Sequence, residues 1–201
     1  MSNTIITVGR EFGSGGHEIA ADLARKLDIP LYDKEILTEA ARNSGFSEDA
    51  FMAFDETRES SLLYALATGN SLYGPELPLP VVLCLEQFRT IGELAEKGSC
   101  VFVGRCADYV LREREDVLSV FVHAPLEARV KRICDLRGIS RQEAEKLIIR
   151  SDRKRANYYQ HYTDWTWGAA STYHLSIDSS LTGIDGGVVM IETMLRLNGL
   201  L

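Results

Sequence analysis

Several features that mark common protein classes are missing from this sequence. No apolar run approaches the roughly 20 residues that a membrane-spanning helix requires. The first residues, MSNTIITVGREFG, lack a basic region followed by a long apolar stretch, which is the pattern of a secretory signal peptide. The sequence therefore predicts a cytoplasmic protein without a membrane partner.

Cysteine is scarce and is not spaced for metal binding or redox chemistry. The four cysteines are Cys84, Cys100, Cys106 and Cys134, and no two of them form a CxxC pair. This spacing argues against the metal-finger and thioredoxin-like classes. Because three of the four lie in apolar surroundings, we expect buried free thiols and no disulfide framework.

Positive charge is in short supply except in one segment. The 201 residues carry a net charge of −7, yet residues 129–155 contain ten Lys or Arg against four Asp or Glu. A mostly acidic chain argues against a nucleic-acid partner. The basic segment suits a compact polyanion such as a nucleotide, and the alternative is a solvated helix face.

Short apolar strands alternate with amphipathic helices along the chain. We predict strands at 4–8, 31–32, 100–103, 117–122 and 173–177, helices at 15–27, 34–43, after Ser47, 81–97, after Pro125, after Ser140 and 183–197, and a loop at 69–80. This alternation predicts a single α/β domain, 1–201, with a parallel β-sheet of about five strands and helices on both faces. In such sheets, ligands bind at the carboxyl ends of the strands.

The stretch GREFGSGGHEIA, residues 9–20, follows the first predicted strand and opens a helix. Its glycines permit positive φ, and the helix offers unpaired N–H groups and the positive end of its dipole, so the segment can cradle phosphate. The alternative is a strand-to-helix turn with glycines for close packing. The candidate ATP and phosphate ligands are Gly9, Arg10, Gly13, Ser14, Gly15, Gly16 and His17, with Asp178 after the last strand.

The lysine of the standard phosphate loop is absent. That loop reads GxxxxGK[ST], whereas Gly16 and His17 stand at the Lys and Ser/Thr positions here. Backbone N–H groups can bind phosphate without any side chain, which is one answer to the missing lysine. Arg10 could supply the charge instead, and the alternative is a solvent-facing loop residue.

Four further stretches follow this loop: VFVGRCADYV (101–110), APLEARVKRI (124–133), IIRSDRKRANYY (148–159) and HLSIDSSL (174–181). Together with GREFGSGG they resemble the cytidylate kinases, and more closely the divergent cytidylate kinase-like group. The resemblance covers nearly the whole chain and is weak at 44–98. It implies the P-loop nucleoside monophosphate kinase fold, with an acceptor-binding helical insert at 34–98 and a lid at 137–170.

The same resemblance implies transfer of the γ-phosphoryl group of ATP, with Mg²⁺, to CMP or dCMP. Gly104 and Arg105 match the Gly-Arg pair that holds the acceptor nucleotide in the family. The chain departs from the family pattern at Gly16, Cys106 and Asn157, where the family has Lys, Asp and Arg. These departures concern the acceptor site and the catalytic charges more than the fold.

Phosphoryl transfer mainly requires in-line positioning and positive charge on the transferring oxygens. Arginine suits this role because its planar fork binds phosphate bidentately and remains charged. The catalytic candidates are therefore Arg150, Arg153 and Arg155 in the arginine-rich lid, and their alternative is a helix surface with weak ion pairs. The acceptor candidates are Asp33, Arg105 and Asp108, of which Asp33 could instead cap a helix.

The leading hypothesis from the sequence is an enzyme whose partners are ATP and a small phosphorylated acceptor. A nucleotide-binding sensor with little catalysis is the second hypothesis, and a P-loop kinase for another small acceptor is the third. The ligands of Mg²⁺ are not identified by the sequence, although Glu11 or Glu18 could act through water. The oligomeric state stays open.

Overall fold

A computed structural model describes residues 3–56 and 78–201 of the chain. The predicted loop at 69–80 lies outside the described residues up to position 77, and its last two residues belong to a helix. Within the described ranges, no helix is both long enough and apolar enough to cross a membrane.

Five strands form one sheet at the centre of the fold. They are β1 (Ile5–Arg10), β2 (Leu31–Tyr32), β3 (Cys100–Val103), β4 (Val117–His123) and β5 (Leu175–Asp178). The strand order is β2-β3-β1-β4-β5, and β1 pairs in parallel with β3 and β4, as β4 does with β5. The predicted α/β fold with a five-stranded parallel sheet is therefore confirmed.

Eight α-helices occur in the described residues. They are α1 (Gly16–Leu27), α2 (Glu35–Ser44), α3 (Glu48–Glu56), α4 (Leu79–Lys97), α5 (Ala107–Val110), α6 (Leu126–Arg137), α7 (Arg141–Tyr162) and α8 (Ser179–Leu197). Helix α5 was not predicted, because four residues are too few to show a helical period. Helix α8 begins four residues earlier than predicted, and Gly183 interrupts it with non-helical backbone angles.

The main core lies between the sheet and the helix pair α1 and α8. The strands contribute Ile6, Val8, Val101, Val103, Leu118, Val120 and Val122, all buried, and the helices contribute Ile19, Leu23, Ile191 and Leu195. The apolar spacing within α1 predicted this face, because residues three and four apart share one side of a helix. This packing holds the first turn of α1 close to the carboxyl end of β1.

Helices α6 and α7 form a hairpin with a core of its own, which contains Val130, Ile133, Ala144 and Ile148. The predicted capping box is confirmed: the Ser140 hydroxyl accepts from the Glu143 N–H, and the Glu143 carboxylate accepts from the Ser140 N–H. Such a box satisfies two N–H groups that the first turn of a helix leaves unpaired. It starts α7 at a defined residue, which sets the position of the basic residues further along that helix.

The chain divides into two compact units. The first contains residues 1–31 and 98–201, and the second contains residues 32–97. Within the second unit, α2 packs against α3 and α4, with Leu37, Phe51 and Leu83 almost fully buried. The phosphate-loop candidates all belong to the first unit, as do the predicted lid arginines.

Candidate active site

The segment 9–17, hereafter the phosphate loop, lies at the carboxyl end of β1 and leads directly into α1. Gly13 has φ +82° and Gly15 has φ +80°, a left-handed region that residues with side chains rarely adopt. Gly15 is the N-cap of α1 and has no side chain to cap the first turn. A helix start of this kind is a favourable place for an anion.

The Ser14 side chain braces the loop from within. Its hydroxyl donates to the Glu11 carbonyl oxygen at 2.9 Å, accepts from the Gly16 N–H at 3.4 Å and is almost completely buried. The Ser179 hydroxyl, from the start of α8, donates to the Ser14 and His123 carbonyl oxygens. The hydroxyls of Ser14 and Ser179 therefore stabilise the backbone conformation of the loop.

Arg129 is the central residue that the sequence reasoning missed. Only 8% of it is exposed, and its Nε donates to the Ala124 carbonyl oxygen at 2.9 Å. Its Nη1 donates to the Phe12 carbonyl oxygen at 3.2 Å and pairs with the Asp152 carboxylate, while Nε lies 3.3 Å from Glu11 Oε2. A buried arginine needs such partners, because an unpaired buried charge is costly.

Asp152 completes this arrangement from α7. Its Oδ1 accepts from the Phe12 N–H at 2.7 Å, and its Oδ2 pairs with Arg129. Glu11 also contributes, since its Oε2 accepts from the Ala124 N–H at 3.1 Å. The phosphate loop is therefore tied to α6 and to α7 by charged hydrogen bonds, which are stronger than neutral ones.

The lid arginines occupy different environments. Arg155 Nη1 donates to the Arg10 carbonyl oxygen at 2.9 Å, and its Cζ lies 5.6 Å from the centre of the Phe12 ring. Arg150 and Arg153 are exposed on α7. The structure thus brings Arg155 to the phosphate loop and leaves Arg150 and Arg153 on the solvent side of the helix.

The residues after β3 adopt an unusual backbone. Gly104, Arg105 and Cys106 have φ of +71°, +60° and +58° in succession, and Cys106 is the N-cap of α5. Each non-glycine residue in this region costs about 1–2 kcal/mol. Strain that the surrounding structure maintains is typical of functional sites, so the turn supports the choice of Arg105 as a site residue.

Asp108 has a different environment from the one its predicted acceptor role requires. It is 7% exposed, and its Oδ2 accepts from the Tyr159 hydroxyl at 2.6 Å. Burial raises the pKa of this carboxyl above its usual range, against the opposing effect of the Tyr159 hydrogen bond. Burial and the neighbouring Asp108 in turn raise the pKa of Tyr159. The side chain therefore joins α5 to α7 inside the protein, and the sequence had no signal for this pairing.

A cleft of about 560 Å³ lies at the carboxyl ends of β4 and β5. Its walls include Glu11 of the phosphate loop, His123, Asp178 and Trp167, whose ring packs edge-on against Phe121 at 5.3 Å. Asp178 accepts from the Ser180 N–H and hydroxyl as the N-cap of α8, and the hydroxyl bond lowers the pKa of its carboxyl. The cleft is the concave site adjoining the loop.

The remaining predicted residues are placed as follows. Gly9 packs against Phe121 and Tyr173, Gly16 is buried, and His17 is exposed in the first turn of α1. Asp33, in the second unit, is half-buried and its N–H donates to the Glu35 carboxylate at 3.0 Å.

Metal ligands are not clustered in the described part of the chain, where no group of three or more His, Cys, Asp or Glu side chains could hold an ion. Glu18 is paired with Arg132, and Glu11 with Arg129. Mg²⁺ in kinase sites keeps several waters and takes most of its other ligands from phosphate. Each of the two carboxylates is thus engaged by an arginine, and their role toward metal-bound water stays a prediction.

Comparison with known proteins finds relatives over nearly the whole chain. The sequence matches the cytidylate kinase-like family over residues 5–181. A protein of Methanocaldococcus jannaschii that is named cytidylate kinase is 29% identical over 185 residues, which cover 90% of this chain and 92% of that protein. One of Methanopyrus kandleri with the same name is 25% identical, covering 89% of this chain and 86% of the other.

Solved structures show the same architecture. A crystal structure of an uncharacterised protein from Eubacterium ventriosum has a TM-score of 0.73 and 29% identity, covering 96% of this chain and 98% of that one. A shikimate kinase from Bacteroides thetaiotaomicron has a TM-score of 0.56 at 15% identity, covering 97% and 99%, and shares the fold. The chain shares the fold of this kinase, and by its match over residues 5–181 it belongs to the cytidylate kinase-like family.

Proposed function

We propose that this protein transfers the γ-phosphoryl group of ATP to a nucleoside monophosphate, with CMP or dCMP as the preferred acceptor. One observation carries the proposal: a glycine-rich loop stands at the carboxyl end of β1 and leads into the first turn of α1, and an arginine of α7 contacts that loop. A loop and a cationic helix in this arrangement serve the binding and neutralisation of a triphosphate.

The donor is bound mainly by backbone. Backbone N–H groups at the start of α1 would bind the phosphates, and the dipole of α1 favours their negative charge. His17, exposed in the first turn, can donate a further hydrogen bond to phosphate. The cleft beside Asp178 and Trp167 would bind the rest of the ATP molecule.

Transfer depends on positive charge around the moving phosphoryl group. Arg155 already contacts the loop, and Arg150 and Arg153 extend the same charged helix. These arginines stabilise the charge that develops on the phosphate oxygens, without covalent participation by the protein. Mg²⁺, brought with ATP, would neutralise further phosphate charge, with Glu11 and Glu18 holding its water.

The acceptor assignment rests on Arg105 and on the relatives. Arg105 follows a strand next to β1, within a strained turn, and its guanidinium is suited to bidentate contact with an acceptor phosphate. Relatives that are named cytidylate kinase support a cytidine nucleotide as the acceptor. Asp33 remains a candidate for the ribose or base. Asp108 contributes indirectly, through its hydrogen bond to Tyr159.

A nucleotide sensor is the second candidate, and the loop itself favours it. Gly16 and His17 stand where phosphate loops carry the lysine and the hydroxyl that assist catalysis. Cys106, in place of an Asp after the Gly-Arg pair, favours the third candidate, a kinase for another small acceptor.

A coupled ADP-release screen with Mg·ATP tests the proposal across CMP, dCMP, UMP, AMP, GMP and several nucleosides. We expect the highest kcat/KM with CMP or dCMP. Turnover confined to a non-phosphorylated acceptor would establish the third candidate. ATP binding without turnover on any acceptor would establish the sensor.

A further inference from the structure

The phosphate loop differs from the standard pattern at positions 10, 16 and 17, and the changes at positions 10 and 16 are reciprocal. When GxxxxGK[ST] is placed with its second glycine on Gly15, its first glycine falls on Arg10 and its lysine falls on Gly16. The chain thus has a cationic residue where the pattern has glycine, and glycine where the pattern has the cation. Positions 10 and 16 together thus still hold one cationic residue and one glycine, as in the standard pattern.

The structure explains why the two changes occur together. A Cβ atom on Gly16 would lie 2.6 Å from Arg10 Cβ and 3.0 Å from Val122 Cβ. Real Cβ atoms do not approach other carbon atoms this closely, so only one of positions 10 and 16 can carry a side chain in this backbone. The Arg10 side chain therefore occupies the space that the first side-chain atoms of a lysine at position 16 would need.

The direction of the Arg10 side chain supports a role in transfer. It passes Gly16 at the start of α1, and its Nη1 reaches the Cα of Gly104 so closely that a Cβ there would collide with it. Gly104 begins the turn that carries Arg105. The Arg10 side chain therefore extends from the phosphate loop to the carboxyl end of β3. The backbone carbonyl oxygen of Arg10 accepts a hydrogen bond from Arg155.

We propose that Arg10 is a catalytic residue that replaces the phosphate-loop lysine and contacts the phosphoryl group during transfer. This inference rests on the proposed function. An oxygen of the acceptor phosphate forms the new bond to the γ-phosphorus. The bond from that phosphorus to the β–γ bridging oxygen breaks, and ADP leaves with its electron pair. Arg10 keeps its protons and offsets the charge on the oxygens.

Arginine gives this position a property that lysine lacks. Its planar fork can contact oxygens of two phosphate groups at once, whereas an ammonium group acts as a point charge. A residue that spans both strand ends can therefore orient the γ-phosphoryl group and the acceptor phosphate together.

The test uses Arg10→Gly, Gly16→Lys and the double variant, whose loop reads GEFGSGKH. We expect Arg10→Gly to lower kcat about 10²-fold or more, because a preorganised cation is lost. Gly16→Lys lowers kcat because its side chain meets Arg10 Cβ. The double variant recovers about 10-fold or more over Arg10→Gly, because the 2.6 Å contact with Arg10 Cβ is gone and Val122 Cβ, at 3.0 Å, has to yield only slightly. A folded double variant that is no more active than Arg10→Gly would refute the exchange.

A second comparison separates this inference from the proposed function. Arg10→Met removes the charge but keeps packing beside Gly16, and Arg25→Met, at an exposed position of α1, is the matched control. We expect Arg10→Met alone to weaken ATP binding, by calorimetry, more than AMP binding. Unchanged kcat and unchanged ATP affinity would overturn the role of Arg10. Wild-type protein without turnover on any acceptor would overturn phosphoryl transfer, and the ATP comparison would still decide whether Arg10 binds phosphate.

Discussion

The Tyr159 hydroxyl donates a 2.6 Å hydrogen bond to Asp108 Oδ2, and this pair joins α7 to the short helix after the Gly-Arg turn. Because burial raises the pKa of Asp108, the folded protein holds its proton more tightly than the unfolded chain does. The contribution of Asp108 to the free energy of unfolding is fully present below the pKa of the unfolded chain, near 4. This contribution is lost as pH rises toward the higher pKa of the folded protein.

Asp108→Asn should remove this pH-dependent loss of stability, because the asparagine amide cannot ionise and its oxygen still accepts the hydrogen bond from Tyr159. The wild type should lose stability relative to the variant as pH rises above about 4, by at most about 1.4 kcal/mol per pH unit. Urea unfolding of both proteins at several pH values above about 4 measures this difference in the free energy of unfolding. Asp116→Asn is the control: the Arg114 hydrogen bond lowers the pKa of Asp116, so its contribution to stability is lost as pH falls below about 4 and should not change above that. A difference between wild type and Asp108→Asn that does not change with pH would contradict the prediction.

Gly15→Ala should abolish tight ATP binding. The substituted residue would have to adopt φ +80°, which favours a changed loop backbone, and its Cβ would lie 2.6 Å from Ile184 Cδ1, at the end of a side chain that can shift. Gly138→Ala is the matched control, with φ +64° and open space around it. Both variants should lose about 1–2 kcal/mol of stability, whereas only Gly15→Ala should lose ATP affinity by calorimetry. Equal ATP affinities in the two folded variants would argue against the phosphate loop.

Arg155→Ala should lower kcat by about 10³-fold, because arginines at phosphoryl-transfer transition states have effects of this size. Arg155→Lys keeps the charge but loses the fork, so it should recover only part of kcat. Arg153→Ala, at an exposed position of the same helix, should have the smaller effect. Steady-state kinetics with Mg·ATP distinguishes them. A larger loss in Arg153→Ala would mean that the substrate complex brings Arg153, and not Arg155, to the phosphates.

Arg105→Gly and Arg105→Ala should separate function from strain. Both remove the guanidinium, so both should raise the acceptor KM far more than the ATP KM. Only glycine is comfortable at φ +60°, so Arg105→Gly should be more stable than Arg105→Ala by about 1 kcal/mol. Thermal unfolding and initial-rate kinetics test the two statements separately. An equal rise in both KM values would place Arg105 outside the acceptor site.

The sequence was most informative where local chemistry determines structure. The apolar run before Gly9 and the periodic spacing of Ile19 and Leu23 predicted β1, the loop and α1, since burial and backbone freedom act over a few residues. The role of Arg129 could not be predicted in this way. It belongs to a run of basic residues that suggests a solvated surface, and its partners lie 23 residues away at Asp152 and 117 away at Phe12.

The tie between Arg129, Asp152 and the backbone of Phe12 has a kinetic consequence. Helix α7 cannot withdraw from the phosphate loop without breaking a largely buried ion pair and an N–H···O bond together. Any withdrawal of α7 would therefore also free the backbone of Phe12, so movement of this helix and relaxation of the phosphate loop would be coupled.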